Sequence, residues 1–143
     1  MRLAVRRLAP AAKLPQRSHT GDAGFDLHAI EDATLGPGER AAVRTGIAVE
    51  IPERHAGLVL PRSGLALRHG IALVNAPGLI DAGYRGEIVV LLLNTDRSET
   101  FKVAAGDRIA QLVVTRYEAP DVVEVSELAE SDRAEGGLGS SGP

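Results

Sequence analysis

A carboxylate and a tyrosine stand close together between predicted turns. Asp81 opens the turn 81–83, and a second turn, 75–78, lies just before it. Two such turns predict a projecting β-hairpin. A carboxylate there either makes a local turn contact or, held near a water and a phosphorus, acts as a general base. The chain has two Tyr, two Phe and no Trp, so Tyr84 is either a ligand platform or an ordinary half-buried strand residue.

Arg62, Ser63 and Gly64 form a second candidate, for binding an anion. They follow a predicted strand and open a predicted short helix over Ser63–Arg68, with Ser63 as its N-cap. The first N–H groups of a helix lack partners and attract anions, while Gly64 permits close backbone approach. Arg62 would add a planar, multi-donor cation. The alternative is a capped helix whose arginine faces water.

Asp26 is a candidate for holding a hard cation. It shares one face of a half-buried strand, 24–30, with Gly24 and His28. Carboxylate oxygen suits Mg²⁺, often through the waters of the ion, although a solvent-facing strand residue is the simpler alternative. The chain has no Cys, and its histidines show no metal-ligand spacing, so we expect no zinc or redox metal. The histidines are His19, His28, His55 and His69.

Short apolar stretches separated by turn residues must position these side chains. The 16 Gly and 8 Pro suit short strands joined by tight turns, and the core must be aliphatic because aromatics reach only 3%. Turn signals roughly 8 to 12 residues apart favour an all-β sandwich, barrel or jelly roll. The predicted strands are Leu3–Leu8, Gly24–Ile30, Arg40–Ile51, Gly57–Leu60, Ile71–Val74, Glu87–Thr95, Thr100–Val103, Arg108–Glu118 and Val122–Val125.

The length and net charge of the chain limit its domain organisation and the surfaces it can bind. We expect one β domain over residues 1–125 and a flexible, glycine-rich arm over residues 126–143. The net charge of −3 argues against a nucleic-acid or membrane surface. The lack of Cys and of a signal-like apolar start predicts a cytoplasmic protein. Residues 88–93 are apolar on both faces, which predicts a strand covered on both sides, centrally or at a subunit contact.

Five stretches, in sequence order, resemble the five motifs of the trimeric dUTP diphosphatases (dUTPases). The resemblance covers nearly the whole chain, and five ordered matches are highly specific. The stretches are Ala23-Gly24-Phe25-Asp26-Leu27, Pro61-Arg62-Ser63-Gly64-Leu65-Ala66, residues 78–88 (GLIDAGYRGEI), residues 106–112 (GDRIAQL) and residues 133–142 (RAEGGLGSSG).

The resemblance implies a dUTPase-like β jelly roll with one short helix, assembled as a homotrimer with three shared sites. Each site would take the first, second and fourth motifs from one subunit, the third from another and the arm from the last. Asn75 and the backbone of Leu79, Ile80 and Asp81 would bind uracil, with Tyr84 beneath the deoxyribose. The implied phosphate ligands are Arg62, Ser63, Gly64, Gln111 and Arg133, and Asp26 would hold a water of the magnesium shell.

The implied reaction converts dUTP to dUMP and pyrophosphate. Asp81 would activate a water for attack on the α-phosphorus, and Mg²⁺, held mainly by the triphosphate, would neutralise charge. The activity would limit uracil in DNA and supply dUMP for dTTP synthesis. Two positions depart from the family pattern: Leu138 replaces the usual aromatic over uracil, and Ala134 stands where Gly is common. Val89, often polar in relatives, is assigned no ligand contact.

Two alternatives remain at this stage. A dCTP deaminase shares the fold but uses a Glu on the strand after the third motif, where this chain has Leu91, which cannot move a proton. A non-catalytic nucleotide sensor of the same fold would explain Leu138. Such a protein has little need, however, of the set Asp81, Arg62, Gln111 and Arg133.

Overall fold

The computed structural model describes residues 1–137. Within them lie ten strands and one short helix, so the all-β class with a single helix is confirmed. Leu138, predicted to lie over the base, falls outside the described residues. The elements are β1 (Ala4–Arg7), β2 (Phe25–His28), β3 (Ala33–Leu35), β4 (Arg40–Glu50), β5 (His55–Leu60), α1 (Ser63–His69), β6 (Ile71–Leu73), β7 (Gly78–Ile80), β8 (Glu87–Asn94), β9 (Phe101–Val103) and β10 (Arg108–Arg116).

Two four-stranded antiparallel sheets enclose the core. One has the order β1-β4-β8-β6 and the other β2-β10-β5-β7, while β3 and β9 form a separate pair. Because strands alternate their side chains between faces, each sheet turns one aliphatic face inward. The core is aliphatic, as the composition predicted, and its most buried members include Leu27, Leu35, Val43, Val90, Leu92 and Leu112.

The strand β8 is covered on one face only. It lies between β4 and β6 in its sheet, and its side chains alternate between buried and more exposed positions. Val89 and Leu91 stay 39% and 37% exposed on the outer face. The single chain therefore does not cover β8 on both faces. The outer face could be covered only by a contact with another subunit, which was the other half of the prediction.

The structure corrects three local predictions. Ser63 is the first helical residue rather than the cap: the N-cap is Arg62, in an extended conformation, and no side chain caps the helix. The segment 75–87 is not a hairpin, because β7 pairs with β5 in one sheet and β8 pairs with β4 and β6 in the other. Residues 122–125 form no strand and are exposed, since no neighbouring strand lies beside them.

Within residues 1–137, no helix combines the length and apolar character needed to span a bilayer. The only helix there, α1, has 7 residues and contains no buried side chain. It ends at Gly70, whose φ of 63° suits a left-handed C-cap and whose N–H donates to the carbonyls of Ala66 and Leu65. This short turn of helix therefore carries the chain from β5 to β6 and contributes little to the core.

Candidate active site

The first, second and fourth motifs converge on one cleft, here called the Asp26 cleft. It has a volume of about 400 Å³ and contains five of the predicted site residues. β2, β10 and the end of β5 are neighbours in one sheet, and α1 follows β5 directly. Three distant stretches of sequence thus meet at one point. The lining residues are Ser18, Asp22, Ala23, Gly24, Asp26, Arg62, Ser63, Gly64, Gln111 and Val113.

Two arginines and a serine hold the carboxylate of Asp26. Its Oδ1 lies 3.3 Å from Nε of Arg62, and its Oδ2 lies 3.3 Å from Nη1 of Arg108. The hydroxyl of Ser18 donates to the same Oδ2 at 3.0 Å. Only 14% of the Asp26 side chain is exposed, so these contacts are screened less than a surface ion pair. The Asp26 carboxylate is therefore paired with two cations.

His28 lies beside this group on β2. Burial, followed by the nearby Lys13 cation, lowers the pKa of His28 below its ordinary value, although Asp26 opposes the shift. The ring is therefore neutral at pH 7 and adds no charge to the cleft. Its Nδ1 is buried and has no hydrogen-bond partner within the described residues.

Gln111 lies opposite Asp26 across the β2–β10 pair. Its Nε2 donates to the carbonyl of Pro61 at 2.9 Å, which fixes the side chain against the start of α1. Its Oε1 occupies the space that a Cβ on residue 24 would need. Gly24 is therefore required by the position of Gln111, a steric reason that the sequence alone did not give.

Substitution of Gly24 with alanine is expected to displace the amide of Gln111 and weaken its contact with Pro61. Misplacing a binding group by about 1 Å can cost up to ~10²-fold in rate, so for the reaction that the sequence resemblance implies we expect a loss of kcat/KM within that limit. Steady-state kinetics would measure it. Gly36→Ala is the matched control, because its added Cβ meets only the exposed, flexible side chain of Glu39. Equal kinetics for the two variants would contradict the steric role.

The start of α1 provides main-chain donors at the Asp26 cleft. Arg62, in extended conformation, lies between the end of β5 at Leu60 and the helix, which begins with Ser63 and Gly64. No side chain caps these N–H groups, so the first-turn N–H groups remain available to an anion. The first hydrogen bond of the helix runs from the N–H of Ala66 to the carbonyl of Arg62 at 3.0 Å.

The third motif forms a second cleft, here called the Asp81 cleft, with a volume of about 320 Å³. It contains the other predicted nucleotide-binding residues of the segment 75–87. Its wall is the outer face of β8, including the exposed Val89 and Leu91. The lining residues are Val59, Leu73, Asn75, Gly78, Leu79, Ile80, Asp81, Tyr84, Glu87, Ile88, Val89, Val90 and Leu91.

The strand β7 is the edge of its sheet and borders the Asp81 cleft. It pairs with β5 on one side, matching Leu79 with Leu58, and has no strand on the other. An edge strand presents unpaired N–H and C=O groups. Leu79 is exposed while Ile80 is buried in the core, so Ile80 can meet a ligand only through its backbone. Asn75 packs close to Gly78 at the entry to this strand.

Asp81 is exposed immediately after β7. Its carbonyl accepts the N–H of Tyr84 at 3.0 Å, which closes the turn predicted at 81–83. The Tyr84 hydroxyl donates to the carbonyl of Glu87 at 3.0 Å, and its ring occupies space that any side chain on Gly86 would need. The turn thus fixes the backbone of Asp81 while its carboxylate stays free of hydrogen bonds within residues 1–137.

The two clefts share no lining residue. One chain therefore collects its predicted site residues into two groups rather than one. Arg133 belongs to neither group: it is exposed in the arm, where its Nε donates to the carbonyl of Gly136 at 2.8 Å. Ala134 beside it has a φ of 44°, in the left-handed region that favours glycine. The alanine therefore carries a backbone cost at a position where glycine would not.

Sequence reasoning assigned no role to three residues that the structure places at these clefts. Ser18 and Arg108 hold Asp26, and Glu87 anchors the segment 75–87 by accepting the N–H of Gly46 at 2.7 Å and pairing with Arg44 at 3.1 Å. Arg108 and Glu87 stand inside or beside recognised motifs, which is a usable signal. Ser18 stands alone in the sequence and offered none.

The side chains of the Asp26 cleft suit a magnesium ion that arrives bound to a ligand's phosphates better than one coordinated only by the protein. No group of three or more His, Cys, Asp or Glu side chains within residues 1–137 could cage a metal. Mg²⁺ commonly keeps its waters and binds one or two carboxylates together with substrate phosphates. Asp22 and Asp26 are the two carboxylates lining the Asp26 cleft, which matches that pattern.

Comparisons with known proteins agree with these observations. Residues 11–142 match the protein family described as dUTPase. The chain is 57% identical over 142 residues to the deoxyuridine 5'-triphosphate nucleotidohydrolase of Thermobifida fusca, covering 99% of this chain and 79% of that protein. It is 56% identical to the protein of that name from Mycolicibacterium gilvum, covering 98% and 94%.

Solved structures give the same result for the fold. A Staphylococcus bacteriophage 80alpha dUTPase with dUpNHpp superposes with a TM-score of 0.93 at 32% identity, covering 99% of each chain. A phage phi11 dUTPase mutant, described with a structural Mg(II) ion, gives 0.85 at 30% identity, covering 91% of this chain and 100% of that one. The predicted dUTPase-like jelly roll is confirmed. On the family match and the identity to these relatives over nearly the full length of this chain, the chain belongs to the dUTPase family.

Proposed function

We propose that this chain hydrolyses dUTP to dUMP and pyrophosphate, the activity for which its relatives are named. One observation carries the proposal: ten predicted ligand and catalytic residues fall into just two clefts. The Asp26 cleft has the cation, amide and N–H groups that suit a triphosphate, and the Asp81 cleft has groups that suit a nucleoside. In the cytoplasm, this activity would limit uracil in DNA and supply dUMP for dTTP synthesis.

Asp81 is proposed as the general base. It is an exposed carboxylate with a fixed backbone, so it can hold a water and accept its proton as the oxygen attacks the α-phosphorus. Pyrophosphate leaves, and negative charge develops on the phosphate chain. Arg62, Gln111 and the first N–H groups of α1 are fixed donors that stabilise this charge without reorganising. Asp26, with Asp22 nearby, would hold the water shell of a magnesium ion, which screens the charge of the triphosphate.

The Asp81 cleft is proposed to recognise the base and sugar. Uracil presents alternating donors and acceptors, which match the Asn75 amide and the free main-chain edge of β7 at Leu79 and Ile80. Tyr84, held by its hydroxyl and exposed at its ring, would pack beneath the deoxyribose. A ribose 2′-hydroxyl would then meet the ring instead of solvent, which favours deoxynucleotides.

A homotrimer with shared sites is proposed as the working form. The two clefts of a chain share no lining residue, which supports a site completed between subunits, with the Asp81 cleft of one copy facing the Asp26 cleft of another. The exposed Val89 and Leu91 on β8 support this assembly, since a subunit contact would cover them. Light scattering would test the mass.

The arm, residues 126–143, is proposed to close over bound nucleotide while residues 1–125 form the jelly-roll domain. Its described part, residues 126–137, is exposed and contains no strand, which suits a segment that orders only on a ligand. Arg133 would bind the terminal phosphate, and Leu138 would lie over uracil.

Replacing Leu138 with phenylalanine is expected to lower the KM for dUTP. A base–aromatic stack can contribute ~1 to 3 kcal/mol, and leucine offers apolar contact without a π-face. Initial rates over a range of dUTP concentrations would give the KM. Leu128→Phe, the same change at an exposed position earlier in the arm, is the matched control. An unchanged KM for the Leu138 variant would show that this position does not lie over the base.

One assay tests the proposed function against its alternatives. The chain is incubated with dUTP or dCTP and magnesium, and pyrophosphate and ammonia are both measured. Pyrophosphate from dUTP alone supports the proposal. Ammonia from dCTP would indicate a deaminase, although Leu91 at the wall of the Asp81 cleft has no proton to transfer. Binding without turnover would indicate a nucleotide sensor.

A further inference from the structure

An irregularity in β10 changes which side chains face the Asp26 cleft. In a regular strand, successive side chains point to opposite faces. Ile109 and Ala110 are neighbours, yet both are buried, at 1% and 0% exposure. The pairing of β10 with β2 shifts register at the same place, between Arg108 and Ala110. Two residues of β10 thus occupy the space of one on its partner, which is a β-bulge.

The bulge turns Arg108 toward Asp26. Gln111 is paired with Asp26, and its side chain lines the cleft. Counting back from Gln111 with regular alternation, Arg108 would point into the aliphatic core. The extra inward residue, Ile109, restores Arg108 to the outer face, where its Nη1 lies 3.3 Å from Oδ2 of Asp26.

Arg108 completes a closed set of contacts with Asp26 and Arg62. Its guanidinium pairs with Asp26 at 3.3 Å, and its carbonyl accepts Nη1 of Arg62 at 3.2 Å. Arg62 in turn pairs with Asp26 at 3.3 Å. Arg108 does not line the Asp26 cleft but lies in the adjoining pocket behind it, with Arg62 as the wall between the two. It therefore supports the cleft from outside.

The charges explain why a second arginine is useful. With Arg62 alone, Asp26 would neutralise the one guanidinium that faces the cleft and compete with an anion for it. With Arg108 present, Asp26 is shared between two cations, so these three side chains together keep one positive charge beside Asp22, the second carboxylate of the cleft. Arg62 is thus held in place and remains able to bind phosphate.

We propose that Arg108 is a positioning residue: placed by the bulge, it holds Asp26 and, through it, presents Arg62 to the triphosphate. The inference rests on the proposed dUTP hydrolysis. It assigns Arg108 no contact with the nucleotide. Loss of Arg108 should therefore act on triphosphate binding through Asp26, while the base at Asp81 continues to work.

The test is a double-mutant cycle in Arg108→Gln and Asp26→Asn, with Arg108→Lys as the conservative variant. Loss of a group that orients a metal-binding residue typically costs about 10- to 100-fold in metal affinity or activity, and Asp26 is the residue proposed to hold the magnesium shell. We expect Arg108→Gln to lower kcat/KM by that order, mainly through KM, and Arg108→Lys to restore part of it. In the Asp26→Asn background, the same change should cost less than about twofold, because coupled sites are not additive.

Arg116→Gln is the matched control, since Arg116 lies on the same strand, exposed, at its far end. Binding of dUpNHpp, measured by calorimetry on the intact assembly, repeats the cycle without turnover. If the wild-type chain released no pyrophosphate from dUTP, the proposed function would be wrong. The double-mutant cycle measured by dUpNHpp binding would then still test the role of Arg108. Equal losses in both Asp26 backgrounds, or a lowered Tm with unchanged kcat/KM and affinity, would overturn the inference.

Discussion

Replacing Asp81 with asparagine is expected to lower kcat for dUTP by about 10² to 10⁴, the usual contribution of a positioned general base. Asparagine keeps the size and one acceptor oxygen of the carboxylate but cannot take a proton. Single-turnover and steady-state release of pyrophosphate would measure the loss. The affinity for dUpNHpp should stay close to that of the wild type, because the side chain activates water rather than holding phosphate.

Asp121→Asn gives the control for this experiment. Asp121 is an exposed carboxylate that lines neither cleft, so its loss should leave turnover unchanged. Near-normal kcat for purified Asp81→Asn would remove the proposed base. Loss of dUpNHpp binding in the same variant would instead assign Asp81 to substrate binding.

Asn94→Leu is expected to lower the free energy of unfolding by about 2 to 5 kcal/mol, since each buried polar group left unpaired costs about 1 to 3 kcal/mol. Asn94 is fully buried at the end of β8. Its Nδ2 donates to the carbonyls of Leu35 and Glu99 at 3.0 and 2.8 Å, and its Oδ1 accepts the N–H of Asp96 at 2.9 Å. Leucine has a similar size but leaves all three hydrogen-bond partners of Asn94 unpaired.

Denaturant unfolding at one fixed protein concentration would measure this change, because an oligomer's stability depends on concentration. Ser98→Ala, in the same turn, removes only long side-chain contacts of 3.4 and 3.5 Å. It should alter stability by no more than about 0.5 kcal/mol, as is usual for surface positions. Equal unfolding midpoints for the two variants would show that Asn94 does not hold Leu35 of β3 and the turn at 96–99 to the end of β8.

Much of the fold could be predicted because the sequence pattern is local. Alternating apolar residues and turn signals located eight of the ten strands, including the long β4 and β10. The three-residue β3, Ala33–Leu35, was missed because its identity depends on pairing with β9. Residues 122–125 show the opposite error: their valines favour a strand, but a strand forms only beside a partner, and none lies beside them within residues 1–137.

The candidate site was predictable in its members but not in its arrangement. Motif order identified Asp26, Arg62 and Gln111. The reason for Gly24, however, is that the Gln111 side chain occupies the position of a Cβ on residue 24, and this depends on three-dimensional packing. The β-bulge at Ile109 could not be predicted from the sequence either. Two adjacent apolar residues, Ile109 and Ala110, fit a regular strand covered on both faces as well as a bulge, and only the register against β2 distinguishes them.

The fixed tyrosine of the Asp81 cleft has an optical consequence. The chain has two tyrosines and no tryptophan, so the fluorescence of the folded protein comes from two rings. Tyr84 borders the Asp81 cleft, while Tyr117 lies just past the end of β10 and lines neither cleft. With Tyr117 changed to phenylalanine, the remaining emission would report on Tyr84 alone, giving the protein an intrinsic, label-free signal for occupancy of the Asp81 cleft.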